Sequence, residues 1–220
     1  LISGYLIGPG ANLADAYLYK VNLSDLNLTD ADLANANLSG ADLTGAYLTN
    51  ANLSGVDLTG AKLTNANLWN VSSGGITGFP SQYPGNDWIL ESGYLIGPGA
   101  NLSDANLANA NLSFAMLIGV SSGGITGTPM TIPTDWMLVN GYLIGPGANL
   151  IEAELSYADL EDAKLMGTFL TAANLEHANL YGADLTTAFE WEYATWTNAT
   201  YNDATVFPFG MNPEKFGMIY

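Results

Sequence analysis

The 220-residue sequence contains no cysteine, no arginine and only four lysines, against 21 aspartates and glutamates. Without cysteine there are no disulfides and no thiol chemistry, and the redox compartment leaves no mark on the chain. The formal charge of −17 leaves no clustered cations to neutralise phosphates, so nucleic acid is disfavoured as a partner. Docking on an anionic membrane is disfavoured for the same reason. No apolar run approaches the ~20 residues of a spanning helix, so membrane insertion is not expected.

Catalytic and metal-binding constellations are equally sparse. The one histidine, His177, has no cysteine or second histidine with which to build a triad or a zinc site, and reads as an exposed corner residue. The Gly-Pro-Gly triplets that begin at Gly8, Gly97 and Gly145 lack the Gly-Lys-Ser/Thr of a phosphate loop and read as turns. The acid-rich stretch Glu152, Glu154, Asp159, Glu161 and Asp162 is the best candidate for a hard cation. It has no dedicated Asp-x-Asp-x-Asp-Gly loop, so it reads as a solvated acidic face. The expectation is a protein that is not an enzyme, with no cofactor and no metal.

What the chain does have is a period. Leucine recurs every five residues from Leu13 to Leu68, from Leu102 to Leu117 and from Leu150 to Leu185. Two residues before nearly every one of these leucines stands a small apolar residue, usually alanine, as at Ala11, Ala16, Val21, Ala31 and Ala36. Asn or Asp usually lies between them, and Gly, Asn or Asp follows at the second position after the leucine. A period of five fits neither a helix nor a long alternating strand. It fits a chain that turns a corner every five residues, with leucine and the small residue inward and Asn/Asp outward. Gly, Asn and Asp are the residues that tolerate the left-handed backbone of such corners.

Runs such as Ala31-Asp-Leu-Ala-Asn-Ala-Asn-Leu-Ser-Gly resemble the pentapeptide-repeat family, whose consensus is A(D/N)LXX, over most of the chain. The resemblance implies an all-β fold: a right-handed quadrilateral parallel β-helix with four pentapeptides per coil. Uninterrupted blocks hold twelve, four and eight repeats, each a whole number of four-sided coils. Between them lie two related joints, Val71-Ser-Ser-Gly-Gly-Ile-Thr-Gly and Val120-Ser-Ser-Gly-Gly-Ile-Thr-Gly. Counting through them places Val71, Ile76, Leu90, Leu95 and Ala100 inward, and likewise Val120, Ile125, Leu138, Leu143 and Ala148. Each joint then reads as one degenerate coil of four units with an insertion of about eight or nine residues. The corner loops fall near residues 79–89 and 128–137, two coils apart on one corner, roughly 10 Å along the axis. The whole is expected to form about nine to ten coils, roughly 45 Å long.

The expected boundaries are 1–206 for the β-helix and 207–220 for a C-terminal cap. Asn212 and Pro213 carry helix-start signals, and Phe209, Met211, Phe216, Met218 and Ile219 suit a lid. Self-association through the rod ends is the competing use for that surface. Leu1 and Leu6 correspond to Leu90 and Leu95, so the chain is expected to be a slice of a longer array, with an extracellular or cell-surface location slightly favoured. The candidate interaction residues are Trp88 and Trp136, the preceding Asp87 and Asp135, and Tyr83, which together would form an aromatic ridge. The expected role is a non-catalytic scaffold presenting aligned loops to an unidentified protein or other ligand. The alternative that the resemblance implies is an acidic DNA mimic that binds DNA gyrase.

Overall fold

Each of the five positions of the repeat has a partner for its amide hydrogen, and this explains the repeat. In the unit Ala11–Asp15, the inward leucine sends its amide up the stack, from Leu13 to the Asp32 carbonyl (2.7 Å), and Asp32 answers with its own amide to Ala11 (2.9 Å). The corner amide of Asp15 reaches the Ala34 carbonyl (2.8 Å), and Ala16 closes the turn onto Leu13 (3.0 Å). That leaves the Ala14 amide, which the Asn12 side chain accepts through Oδ1 (3.2 Å). The same bond from residue i+2 recurs at Asn22, Asn27, Asp32, Asn37 and Asp42. Asn and Asp therefore stand between the inward residues because their short side chains complete the turn. The corner residues are left-handed as expected, with φ 58° at Asp15, 57° at Asn35 and 70° at Gly55.

The computed structural model describes the whole chain, residues 1–220. Its faces are joined by parallel bridges spaced 20 residues apart, as in Asn12 to Asp32 and Asp32 to Asn52. The column that starts there continues through Ser72, Asn101, Ser121, Asn149, Phe169 and Phe189. The steps from Ser72 to Asn101 and from Ser121 to Asn149 are 29 and 28 residues, so the joints add nine and eight residues to a coil. Leucines and alanines fill the interior, with Leu18, Leu38, Leu58, Leu107, Leu155 and Leu180 all fully buried. Each such leucine contributes about 2 kcal/mol through burial, in a core built only by stacking.

The joints differ from the expected degenerate coil. Val71, Ile76 and Ser81 hold three faces in register, and Gln82 still bridges Lys62. The extra residues then fold back as an antiparallel hairpin, β1 (Ile89–Glu91) and β2 (Tyr94–Ile96), and the second joint repeats it as β3 (Met137–Val139) and β4 (Tyr142–Ile144). Leu90 pairs with Leu95 across the first hairpin and Leu138 with Leu143 across the second. Their five-residue spacing is thus that of two strands and a two-residue turn, rather than of two successive faces. Residues 79–82 and 128–131 remain in the ladder, so the loops begin later than 79 and 128.

The returning strands divide the interior. Leu95 belongs to the core of the first block, while the adjacent Ile96 belongs to the core of the second. Leu143 and Ile144 partition the second and third cores in the same way. A strand shows alternate side chains to opposite sides, so each hairpin acts as a septum with one apolar residue for each compartment.

At the C-terminal end, Trp196 takes a leucine slot and is buried, with its Nε1 donating to the Trp191 carbonyl (2.9 Å). The bridge from Asn174 to Thr195 spans 21 residues, consistent with one inserted residue near Tyr193. A second insertion shifts the register again: Val206 pairs with Asp184 and is exposed, so Phe207 rather than Val206 faces the core. The expected helical cap is a single 3₁₀ turn, Pro213–Phe216, and Asn212 makes no side-chain cap. Met218 is buried, Met211 and Phe216 pack beside it, and Ile219 bridges Thr200. Phe209 contributes nothing to the lid; it is fully exposed.

Lys62 and Asp42 meet as their 20-residue spacing predicts, with Nζ 3.7 Å from Oδ2. Lys164 and Asp184 share a bridge but form no ion pair. Asp42 is held below the usual carboxylate range chiefly by the Thr44 hydroxyl and amide, with Lys62 adding less. A depressed carboxyl contributes stability above its unfolded pKa and loses it as pH falls through the folded value. Lys62→Met should therefore leave Asp42 titrating low and cost under about 1 kcal/mol, whereas Thr44→Val should bring the carboxyl back up. NMR titration of Asp42 in the two variants checks this order.

Candidate interaction surface at the hairpin joints

The Val-Ser-Ser-Gly-Gly-Ile segments are seats for the hairpins. Ser73 Oγ accepts the Leu95 amide (3.1 Å) and Ser122 Oγ accepts that of Leu143 (2.9 Å). A Cβ on Gly74 would lie 3.0 Å from the Tyr94 ring, and one on Gly123 equally close to Tyr142. Those tyrosines continue to the next coil: Tyr94 Oη accepts the Asn106 amide (3.0 Å) and Tyr142 Oη that of Glu154 (3.0 Å). Tyr5 does the same for Tyr17 (3.1 Å), twelve residues on in all three cases. The hairpin turns use left-handed pairs, Ser92–Gly93 (φ 51° and 79°) and Asn140–Gly141 (φ 50° and 81°). Asn-Gly between Met137-Leu-Val and Tyr142-Leu-Ile was a readable hairpin signal in the sequence.

Trp88 and Trp136 occupy equivalent places. A Cβ on Gly97 would fall 2.3 Å from the Trp88 ring, and one on Gly145 2.2 Å from Trp136, so each indole lies flat on a glycine. Trp88 packs against the first and second cores, and Trp136 against the second and third. Both are half-buried, while Asp87 and Asp135 are exposed beside them. Asp135 adopts φ 68°.

The two joints are not alike on the outside. Tyr83 and Trp88 share an open cleft of about 610 Å³, and Asp87 is not part of its lining. Tyr83 is half-buried, and burial raises the pKa of its phenol. The remaining lining includes Thr64, Asn65, Gln82 and Asn86. These are residues that the aromatic pattern alone did not pick out. The only sequence signal for Thr64 and Asn65 was their position one coil below the first loop. Trp136 and Asp135 line no comparable cleft. A second recess, of about 530 Å³, lies at the N-terminal end between Tyr5, Ile7 and Gly8.

The acid-rich run is spread over faces and corners. Glu154 accepts from Asn174 (3.0 Å) and Asp159 from Asn179 (3.0 Å), and no three acidic or histidine side chains gather to hold a metal ion. His177 stands at a corner with φ 59° and stacks on Tyr157, ring centroids 4.6 Å apart.

No curated protein matches the chain. Among solved structures, a pentapeptide repeat protein of the Arabidopsis thaliana thylakoid lumen is 28% identical, the match covering 47% of this chain and 63% of that one, with TM-score 0.34. The match thus spans less than two thirds of that relative's length. QnrB1, a plasmid-mediated fluoroquinolone resistance protein, is 13% identical over 96% of this chain and 85% of its own, with TM-score 0.32. HetL, a pentapeptide repeat protein involved in heterocyst differentiation regulation in the cyanobacterium Nostoc, is 22% identical over 94% and 84%, with TM-score 0.24. The pentapeptide-repeat pattern itself matches residues 9–33, 31–70, 98–121, 146–171 and 153–188 in eight copies, more than half of the sequence. With its four-sided coils and five-residue amide ladder, the chain belongs to the pentapeptide-repeat family, whose members fold as right-handed quadrilateral β-helices.

Proposed function

We propose that this protein is a non-catalytic interaction scaffold: a rigid column that presents its hairpin joints to a partner. One observation carries the reading. The regular coils consume their backbone polar groups in ladders and turns, whereas the first joint holds a roomy cleft with an aromatic pair beside an exposed acid. Regular coils supply rigidity, and loops placed on such scaffolds carry recognition. His177 stacks on Tyr157, and its Nε2 lies 3.9 Å from the Glu176 carboxylate and 3.4 Å from the Asn198 amide, all on the exposed surface. No enzymatic role is proposed.

A photo-crosslinking amino acid placed at Asp87 or Asp135, compared with one on a regular face at Tyr47, tests the scaffold reading. Adducts with a partner should form from the joint positions and not from Tyr47. Equal crosslinking from all three would put the interaction on the regular faces and overturn it. Because Trp88 and Trp136 also pack the joints, the exposed aspartates are the cleaner probes.

The second reading, gyrase binding by DNA mimicry, draws on the charge of −17. The columns dilute that charge. Asp30 is followed one coil later by Asn50 and Asp32 by Asn52, with the amides donating to the carboxylates (2.8 and 3.1 Å). Carboxylates that skip a coil are about 10 Å apart along a column, against one phosphate per about 3.4 Å of each DNA strand. This spacing favours the scaffold. A supercoiling assay in which micromolar protein inhibits or protects gyrase would reverse that preference.

A further inference from the structure

We infer that the cleft of the first joint is a binding site for a neutral carbohydrate. This rests on the reading that the joints are the recognition surface, and narrows it to one joint and one ligand class.

The composition of the cleft carries the argument. In a chain with 21 acids, no carboxylate and no ammonium group lines it. Its walls combine two aromatic side chains, Tyr83 and Trp88, with three carboxamides, Asn65, Gln82 and Asn86, and the Thr64 hydroxyl. Gln82 Oε1 accepts from the Thr64 hydroxyl (3.0 Å), which leaves the Gln82 amide nitrogen and the carboxamides of Asn65 and Asn86 without a partner in the protein. Along the columns some outward amides are engaged by a neighbouring coil, as with Asn50 on Asp30 and Asn174 on Glu154; at the first joint three free carboxamides gather beside two aromatic rings. A carboxamide both donates and accepts, so two or three around one recess match the vicinal hydroxyls of a sugar.

Other ligand classes fit less well. An anion would approach against the charge of the whole surface. A cation would find no carboxylate in the lining. A purely apolar ligand would leave the amides dry and unpaired, which is unfavourable. A polyhydroxylated ring satisfies the amides at its edge and covers an aromatic ring with its C–H face. Trp88 suits that role because its indole is already fixed on Gly97, so little freedom is lost on binding. The cleft volume of about 610 Å³ lies within the usual range for small-molecule sites.

The second joint is a built-in control. Its loop is one residue shorter, Ile132 stands where the first has Tyr83, and Thr131 replaces Gln82. The Thr131 hydroxyl is engaged by Asn111 and Ser113 (2.6 and 2.9 Å). The same septum and tryptophan are therefore present without the free amides, which separates the ligand cleft from the structural duty of the joint.

Native electrophoresis through gels containing a soluble neutral glucan, mannan, galactan or xylan tests the inference on the whole chain, whose negative charge drives migration. At least one polysaccharide should retard the protein. Tyr83→Ala and Asn86→Ala should each weaken that retardation about tenfold, a loss of about 1.4 kcal/mol, while Asp135→Ala migrates like the parent. Circular dichroism confirms that the variants keep the parental fold. No retardation in any of the four gels, or retardation that survives both cleft substitutions, overturns the assignment. Retardation by an acidic polysaccharide alone overturns it too. These outcomes leave the scaffold reading to be decided by the crosslinking from Asp87 and Asp135, which reports protein contacts separately.

Discussion

Leu95→Ala should destabilise the protein by about 2–5 kcal/mol, while the same change at Leu6 should alter stability by no more than about 0.5 kcal/mol. The two leucines occupy the same place in the repeating sequence: Tyr5-Leu6-Ile7-Gly8-Pro9 matches Tyr94-Leu95-Ile96-Gly97-Pro98. They differ in what lies beneath them. Leu95 is fully buried in the first core, on the side of the septum that faces it, whereas Leu6 is 77% exposed at the N-terminal end. Truncating Leu95 removes its transfer free energy and leaves a cavity that the flat coil beneath has little means to close. Truncating Leu6 opens only solvent. Guanidinium unfolding followed by circular dichroism gives both numbers. The cost at Leu95 should also weaken coupling between the first and second blocks, because stability in stacked repeats sums nearest-neighbour interfaces. A broadened transition in Leu95→Ala, absent in Leu6→Ala, is the expected sign of that uncoupling. Equal costs for the two variants would contradict the assignment of the hairpin as a core partition.

The regular blocks were legible in the sequence because one rule governs each residue. Leucine and alanine face in, Asn/Asp completes a turn, and Gly, Asn or Asp takes the left-handed corner, as at Leu33, Ala31, Asp32 and Asn35. The phase of the interruptions was also legible, since the insertions of eight and nine residues appear as bridge offsets. The hairpins were hidden by a coincidence of spacing. Leu90 and Leu95 continue the five-residue beat, yet a strand, a two-residue turn and a returning strand produce the same interval. Counting inward residues cannot separate the two cases; the Asn140-Gly141 turn can. At the C-terminal end, Val206 and Phe207 are both apolar, so the one-residue slip that puts Phe207 inside leaves no pattern to read. For the candidate surface, the sequence paired Trp88 with Trp136, and each lies against the glycine of its following Gly-Pro triplet. It did not separate the two joints, because the difference lies in the amides at Asn65, Gln82 and Asn86, which are ordinary turn and face residues until a coil is stacked above them.

Gly97→Ala is expected to expel Trp88 from its seat, with a loss of about 1–3 kcal/mol from overpacking, and Gly145→Ala to do the same to Trp136. The added methyl would stand 2.3 Å from one indole and 2.2 Å from the other, closer than any non-bonded carbon contact, so each half-buried ring must leave its place against the two cores. Gly8 provides the comparison, for it holds the same position in the N-terminal Gly-Pro-Gly but has no neighbour within 4 Å of the added atom. Gly8→Ala should therefore be silent within about 0.5 kcal/mol. Backbone strain does not confuse the comparison, since neither Gly97 nor Gly145 nor Gly8 needs a left-handed φ. Tryptophan fluorescence reads the event directly: emission should shift to the red in Gly97→Ala and Gly145→Ala as an indole moves into water, and stay at the parental wavelength in Gly8→Ala. An unshifted spectrum together with an unchanged unfolding midpoint in Gly97→Ala would mean that the indole does not rest on this glycine. Because Trp88 also lines the cleft of the first joint while Trp136 lines none, only Gly97→Ala should disturb that cleft. The pair thus distinguishes the structural duty common to both tryptophans from the surface formed by one.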